Sequence, residues 1–431
     1  MGWFSDEGDL ARAFKAWTKL GISSPLPSSA QYRLRTVAEG KAFCRALSSP
    51  NIYARYASGR IVLFDLLAFF QRAETEEAKL YLRDRGLPIL RRILTQALQE
   101  RSATDAEGEW GDTHTFLIKI LSMYSQPGDA LLIVQAARDP RFSDQFLWDV
   151  IFEIIADGHP DAVEICERLA DPLPRSEMLP NYLGFTNRLC REGRISKHPF
   201  NCADGIARLS AFMSDTDAEA YGLAIWAAAS IPYIDPHPRE ALLDGAMRHA
   251  DPLVRIKAAW AMAKLDMDVG RARLVEFCGD ARYSKFVAVH LDELGLADLV
   301  PAEARKPDFD VMARMCQWLA HPREYGRPPD EIIQYDTREL NWPPDGGKRK
   351  RLWLFKYRYA PCGEGTGEEG VGFAGPFPFS FGSVTANLAP EDVYGLHCCD
   401  EMSSDPRVTD RRSAAVGRKL IAELNPDFPA A

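Results

Sequence analysis

The sequence predicts a mainly α chain: a right-handed α-α solenoid of helical hairpins, closed by a small C-terminal α+β cap. Three observations predict it. The stretch "DPLVRIKAAWAMAKL", residues 251–265, is apolar nearly all the way round, so a helix there must bury two sides. The pattern returns on either side of that stretch. Placing Trp226 on Trp260 aligns Asp217 with Asp251, Ala224 with Ala258, Ala227 with Ala261 and Ile231 with Leu265, a shift of 34 positions. A further shift of 29 sets Asp280, Tyr283, Val287 and Leu294 over Asp251, Val254, Ala258 and Leu265. Beyond residue 322 the helical period stops. In "KRLWLFKYRYA", Trp353, Phe355, Tyr357 and Tyr359 alternate with Leu354, Lys356 and Arg358, the two-residue rhythm of a strand.

Composition sets the class. The 431 residues are 46% hydrophobic and 26% charged, the range of folded proteins. A net charge of −9 repels polyanions, so nucleic acid is not the expected partner. "MGWFSDEGDL" has no basic region leading into an apolar one, which predicts a cytoplasmic protein rather than a secreted one. Gly2 lacks the hydroxyl spacing of a myristoylation signal. The most apolar run, "IVLFDLLAFF" at 61–70, is far shorter than the roughly 20 residues that span a bilayer, and it carries Asp65. No membrane association is expected. Nine scattered cysteines fit a reducing compartment.

Taken in order, residues 1–125 read as a divergent helical start to the solenoid, with helices over 8–20, 30–47, 51–72, 75–101 and 112–124. Residues 126–322 read as the repeats proper. Partner helices "PHPREALLDGAMRHAD" from 236 and "DVGRARLVEFCGD" from 268 alternate with the apolar copies, so the unit is a helical hairpin. "ALLIVQAARDP" and "HPDAVEICERLADP" have the same form and end in Asp-Pro. At a helix start, Asp accepts a free first-turn amide and Pro sits where a missing donor costs nothing. In 251–265, Val254, Ala258, Ala261 and Leu265 form one stripe and Leu253, Ile256, Trp260 and Ala263 another. The alanines permit close stacking, and self-similarity at this period marks a repeat array.

Ala250, Asp251, Pro252, Val254, Arg255, Ala258, Ala259, Ala261, Met262 and Leu265 make a pattern that resembles the HEAT repeat in its short bacterial form. The resemblance implies a HEAT-like, armadillo-like solenoid. In that family, Asp and Arg of successive repeats form a polar ladder; here the Arg position is Tyr221 in the preceding copy and Ser284 in the following one, which breaks it. The resemblance is best over 214–295.

Residues 323–350, with "HPREYGRPPD" leading in and "NWPPDGGKRK" inside, read as a Pro- and Gly-broken linker. Residues 351–431 read as the α+β module: the aromatic strand, shorter strands in "GVGFAGPF" and "FSFGSVTANL", then helices in "APEDVYGLHCCDEM" and "TDRRSAAVGRKLIAEL".

No catalytic residue, metal ligand or cofactor is predicted. His397, Cys398 and Cys399 adjoin, with Cys362 the nearest other thiol, but neighbouring cysteines on a helix point about 100° apart and read as core thiols. His159, His198, His237 and His321 each precede Pro and read as turn punctuation. No His is followed by Glu, which removes the metal motif of the HEAT-like deoxyhypusine hydroxylases. "KRKR" at 348–351 is offset by nearby acids, and "CGEGTGEEGVGFAG" lacks the Lys-Ser/Thr of a phosphate loop. The expected function is a non-enzymatic scaffold that presents a curved surface to a partner protein or peptide. Candidate contact residues are Arg255, Lys257, Trp353, Phe355, Tyr357 and Tyr359; the row of the last four is also expected to meet the apolar face of Phe309, Met312, Met315, Cys316 and Leu319 in the last hairpin, where the α+β module would act as its cap. The alternative is a HEAT-like groove enzyme or nucleic-acid binder, similar to the DNA glycosylases or phycobilin lyases.

Overall fold

The structure is a computed structural model that describes residues 8–100, 108–142, 144–174, 178–215, 221–321, 323–361, 367–375, 378–380, 387–408, 410 and 412–430. It is mainly helical, with a small antiparallel sheet near the C-terminus. The chain divides into two compact units, residues 1–250 and 251–431. No helix of the described residues is long and apolar enough to cross a membrane.

The first unit opens with α1 (Asp9–Leu20), α2 (Val37–Leu47), α3 (Val62–Gln71) and α4 (Glu76–Tyr81). A π turn over Leu82–Gly86 joins α4 to α5 (Leu87–Gln99). Its cause is Pro88, which has no N–H to give to the carbonyl four residues back, so the ladder slips and Leu87 N–H reaches Leu82 O. Two predicted helices are shorter than the sequence suggested. The one expected over 30–47 begins only at Val37, where Thr36 and Glu39 form a capping box. The one expected over 51–72 is a 3-10 turn at Pro50–Tyr53, then a bridge between Arg55 and Ile61 around Gly59 (φ 86°), and only then α3. "IVLFDLLAFF" lies in α3 and its entry, largely buried.

Helices α6 (Glu109–Tyr124), α7 (Ala130–Arg138), α8 (Gln145–Ala156), α9 (Ala162–Ala170), α10 (Leu179–Arg191), α11 (Ala203–Ser214), α12 (Tyr221–Ser230) and α13 (Pro236–Met247) complete this unit. Helices pack on their next-but-one neighbours: α6 on α8, α8 on α10, α10 on α12, and likewise α5 on α7, α7 on α9, α11 on α13. Polar bonds reach across one such step. Arg91 forks onto Asp129 at 2.6 and 3.0 Å. The Asp161 carboxylate accepts the N–H groups of Gly128, Asp129 and Ala130, and Arg194 donates to the carbonyls of Ala156 and His159. The Asp-Pro pairs at 139–140 and 171–172 follow α7 and α9 in connecting loops and do not open the next helix, which starts at Gln145 and Leu179 respectively.

The second unit begins with α14 (Pro252–Lys264), α15 (Asp268–Cys278), α16 (Ala281–Glu293) and α17 (Pro307–Leu319). Here the capping expectation holds: Asp251 accepts Leu253 N–H at 2.6 Å, and Asp280 accepts Arg282 N–H at 3.0 Å. Strands β1 (Glu331–Trp342), β2 (Lys348–Tyr359), β3 (Glu368–Ala374) and β4 (Pro378–Ser380) follow, antiparallel and in sequential order. The segment 323–350, expected to be a linker, therefore supplies an edge strand of twelve residues. Its flanking prolines and glycines end the strand instead of dissolving it: Gly346 and Gly347, at φ 65° and 80°, make the β1–β2 turn. Helices α18 (Pro390–Glu401) and α19 (Ala414–Leu424) close the unit.

Both faces of the sheet are covered. Leu340, Trp342, Leu352, Leu354, Val371 and Phe373 share a core with Tyr394, Cys398 and Ile421 of α18 and α19. Trp353, Phe355, Tyr357, Tyr359 and Ala374 share another with Val311, Met315 and Leu319 of α17.

Candidate functional site

The aromatic row predicted to meet a partner is core. Trp353, Phe355, Tyr357 and Tyr359 are all buried under α17. Their polar atoms are engaged: Trp353 Nε1 donates to Asp308 at 2.9 Å, Tyr359 Oη to Arg327 O at 3.0 Å, and the Tyr357 and Tyr325 hydroxyls meet at 3.0 Å. This corrects the reading of these four as exposed contact residues; a row too aromatic to leave wet has been covered from within the chain. Arg255 and Lys257 are part-exposed on α14, which packs mainly on α15 and α16. Lys257 Nζ lies 3.1 Å from His290 Nε2 and 5.1 Å from the Trp260 ring. The six predicted contacts thus do not form one surface.

The other candidates resolve as structure. His397, Cys398 and Cys399 are buried on α18, with Cys399 Sγ donating to Asp410 O at 3.0 Å and Cys398 Sγ against Met402. Burial pushes the Cys398 thiol up to about 12. Cys362 lies outside the described residues. Each cation of "KRKR" has an acid: Lys348 and Lys350 meet Asp345, Arg349 meets Glu339, and Arg351 meets Asp308. Three of the four His-Pro histidines share one device. Nδ1 of His159, His198 and His321 accepts the N–H two residues on, at 3.1, 3.2 and 3.2 Å.

Sequence reasoning missed a cavity of ≈ 740 Å³ in the first unit. Two helical stripes build it. On α2 and its C-cap, Lys41, Cys44, Arg45 and Ser48 follow at helical spacing; across from them stand Tyr81, Arg85 and Ile89, four residues apart along α4, the π turn and α5. Thr18, Ser49 and Pro50 complete the wall. Gly40 permits the close approach, since a Cβ there would stand 2.8 Å from the Tyr81 ring.

Lys41, Arg45 and Arg85 are exposed, and among the described residues none has an acidic partner, while their neighbours Lys79, Arg83 and Arg35 pair with Glu76, Asp84 and Glu74. Among the described residues, no Asp or Glu lines the cavity. Burial pushes the Cys44 thiol up to about 12, so it stays protonated and is no nucleophile at neutral pH. Burial also raises the Tyr81 hydroxyl, with Arg85 and Arg45 pulling the other way. The arrangement can hold an anion. The missed signal lay in pieces: Lys41 and Arg45 one helical turn apart, and a proline inside a helical stretch, joined only by folding.

No family model, curated protein or solved structure matches this chain.

Proposed function

We propose that the chain is a non-enzymatic scaffold, a right-handed stack of HEAT-like hairpins that engages a partner protein or peptide in the cytoplasm. The observation that carries this reading is the next-but-one packing of α5 to α13, with side-chain bonds such as Arg91–Asp129 and Asp161–Ala130 spanning one repeat length. Such an array buries each hairpin against its neighbours only and leaves its outer side chains for contact. Large apolar groups stand exposed on it: Phe146 of α8 at 75% and Trp226 of α12 at 41%. The Asp251–Leu265 pattern and its Asp251 cap support the HEAT-like reading in the second unit.

The test is affinity capture from native extract with the full chain against its Phe146→Glu, Trp226→Glu variant. A stoichiometric protein partner lost in the variant, with melting unchanged, is the expected result. Capture that is identical for both proteins, or no partner at all, overturns the proposal.

A further inference from the structure

We propose that the cavity between α2 and the π-turned helix binds a phosphate monoester, held by Lys41, Arg45 and Arg85. This inference is independent of the scaffold reading, because it concerns a local site.

The charge distribution comes first. The chain has 61 acids and 52 bases, so acids are plentiful, yet three cations from two elements share one cavity with no acid in its lining. Like charges gathered without compensation repel one another, and an anion relieves that repulsion. The backbone supplies a second argument. Pro88 forces the π turn, and the turn sets Tyr81, Arg85 and Ile89 in one row over α2. π turns of this kind recur where a helix is shaped around a ligand. Gly40 lets the Tyr81 ring stand close against α2 within that lining.

The chemistry selects the anion. A carboxylate carries one charge, and two arginines with a lysine over-match it; a phosphate monoester carries about −1.5 to −2 at neutral pH and three acceptor oxygens. Guanidinium groups give it paired, directed N–H bonds. Ser48 and Tyr81 add hydroxyls at the same lining, while Ile89 and Pro50 give the organic part an apolar wall. The volume exceeds that of a bare phosphate, so there is room for the group that carries it.

Titration calorimetry on the full chain tests this with four probes: inorganic phosphate, O-phosphoserine, a phosphoserine peptide, and that peptide without its phosphate. Binding of the phosphate-bearing probes is expected, weakened at least about tenfold in Arg45→Gln, Arg85→Gln, with melting preserved. A control with the same charge loss in the other unit, Arg273→Gln and Lys306→Gln, should bind as wild type. A phosphopeptide much tighter than O-phosphoserine identifies a phosphoprotein as the source, and equal binding identifies a small metabolite. Binding to none of the probes overturns the inference, as does equal binding of the unphosphorylated peptide or equal weakening in the control.

Discussion

Trp226 and Trp260 occupy the same position of the same pattern, and the two side chains end in opposite surroundings. Trp260 is 3% exposed, Trp226 41%. Around Trp260, α14 packs on α15 and α16, His290 lies 5.9 Å from the ring, and Lys257 and Lys264 stand over it. Around Trp226, α12 packs on α10 and α11, and Gly184 of α10 faces the ring without a side chain. A tryptophan's depth is set by what the neighbouring helix offers at the point of contact. The letter at the aligned position sets only its potential for burial.

The most forceful test replaces each ring. Trp260→Ala should destabilise by roughly 3–5 kcal/mol, as a large-to-small change in a core. Trp226→Ala should cost under about 1 kcal/mol. Urea unfolding of the full chain, read as the midpoint of the transition, checks both. Equal losses would mean that exposure fails to separate the two sites and would break the comparison.

Glycines carry the same contrast into the backbone. A Cβ on Gly270 of α15 would stand 2.4 Å from Ala263 N and 2.7 Å from Ala259 O, both backbone atoms of α14. Gly270→Ala must push two helices apart and should cost on the order of 2 kcal/mol. At Gly184 the nearest atoms belong to the Trp226 ring at 3.6 Å, an ordinary contact. Gly184→Ala should be neutral or slightly stabilising, because alanine favours the helix by up to about 1 kcal/mol. A loss above about 1 kcal/mol at Gly184, seen as a lower melting temperature, would show that Trp226 is packed more tightly than its exposure implies.

These pairs also show what was legible in the sequence. The α14 hairpin was, because its cap and both stripes are local: Asp251 binds the amide of Leu253, and Val254, Ala258 and Ala261 are buried as their spacing requires. The aromatic alternation of β2 and its meeting with α17 were legible for a similar reason, since the row is large and a face such as Met315 and Leu319 had to be covered. Strand β1 was not, because its prolines and glycines sit at its ends, and flanking composition outweighed the strand between them. The cavity was not, because its cations belong to α2 and the π turn, distant in sequence, and the turn arises from a single proline.

Acid should also weaken the surroundings of Trp226. Helix α10, on which α12 rests, carries Thr186, whose hydroxyl lies 3.1 Å from Nε2 of His198. Burial lowers the His198 pKa from 6.5 to about 3, and that of His114 in the same unit to about 4. Folded, these rings stay neutral; unfolded, they take up a proton near pH 6.5. Their contribution is complete above that pH and falls as the pH drops toward 4 and 3, by about 2 kcal/mol each at pH 5. Melting curves between pH 7 and pH 5 should therefore shift downward, and His198→Gln should flatten part of that slope. A His198→Gln slope as steep as that of wild type would show that His198 is already open to solvent.

The smallest expected effect concerns the cations over Trp260. Lys264 Nζ stands 5.3 Å from the ring centroid and Lys257 Nζ 5.1 Å, within reach of a cation–π attraction. Both lysines are part-exposed, so water competes and the attraction is worth about 0.5 kcal/mol. Lys264→Met keeps the apolar stem over the ring and removes only the charge. Since Lys264 has other interactions, the single variant mixes several losses, and a cycle with Trp260→Phe isolates the pair. A coupling near 0.5 kcal/mol would show that charge helps to hold Trp260 in place. A coupling indistinguishable from zero would assign its burial to packing alone, and the contrast with Trp226 would then rest on how the neighbouring helices pack.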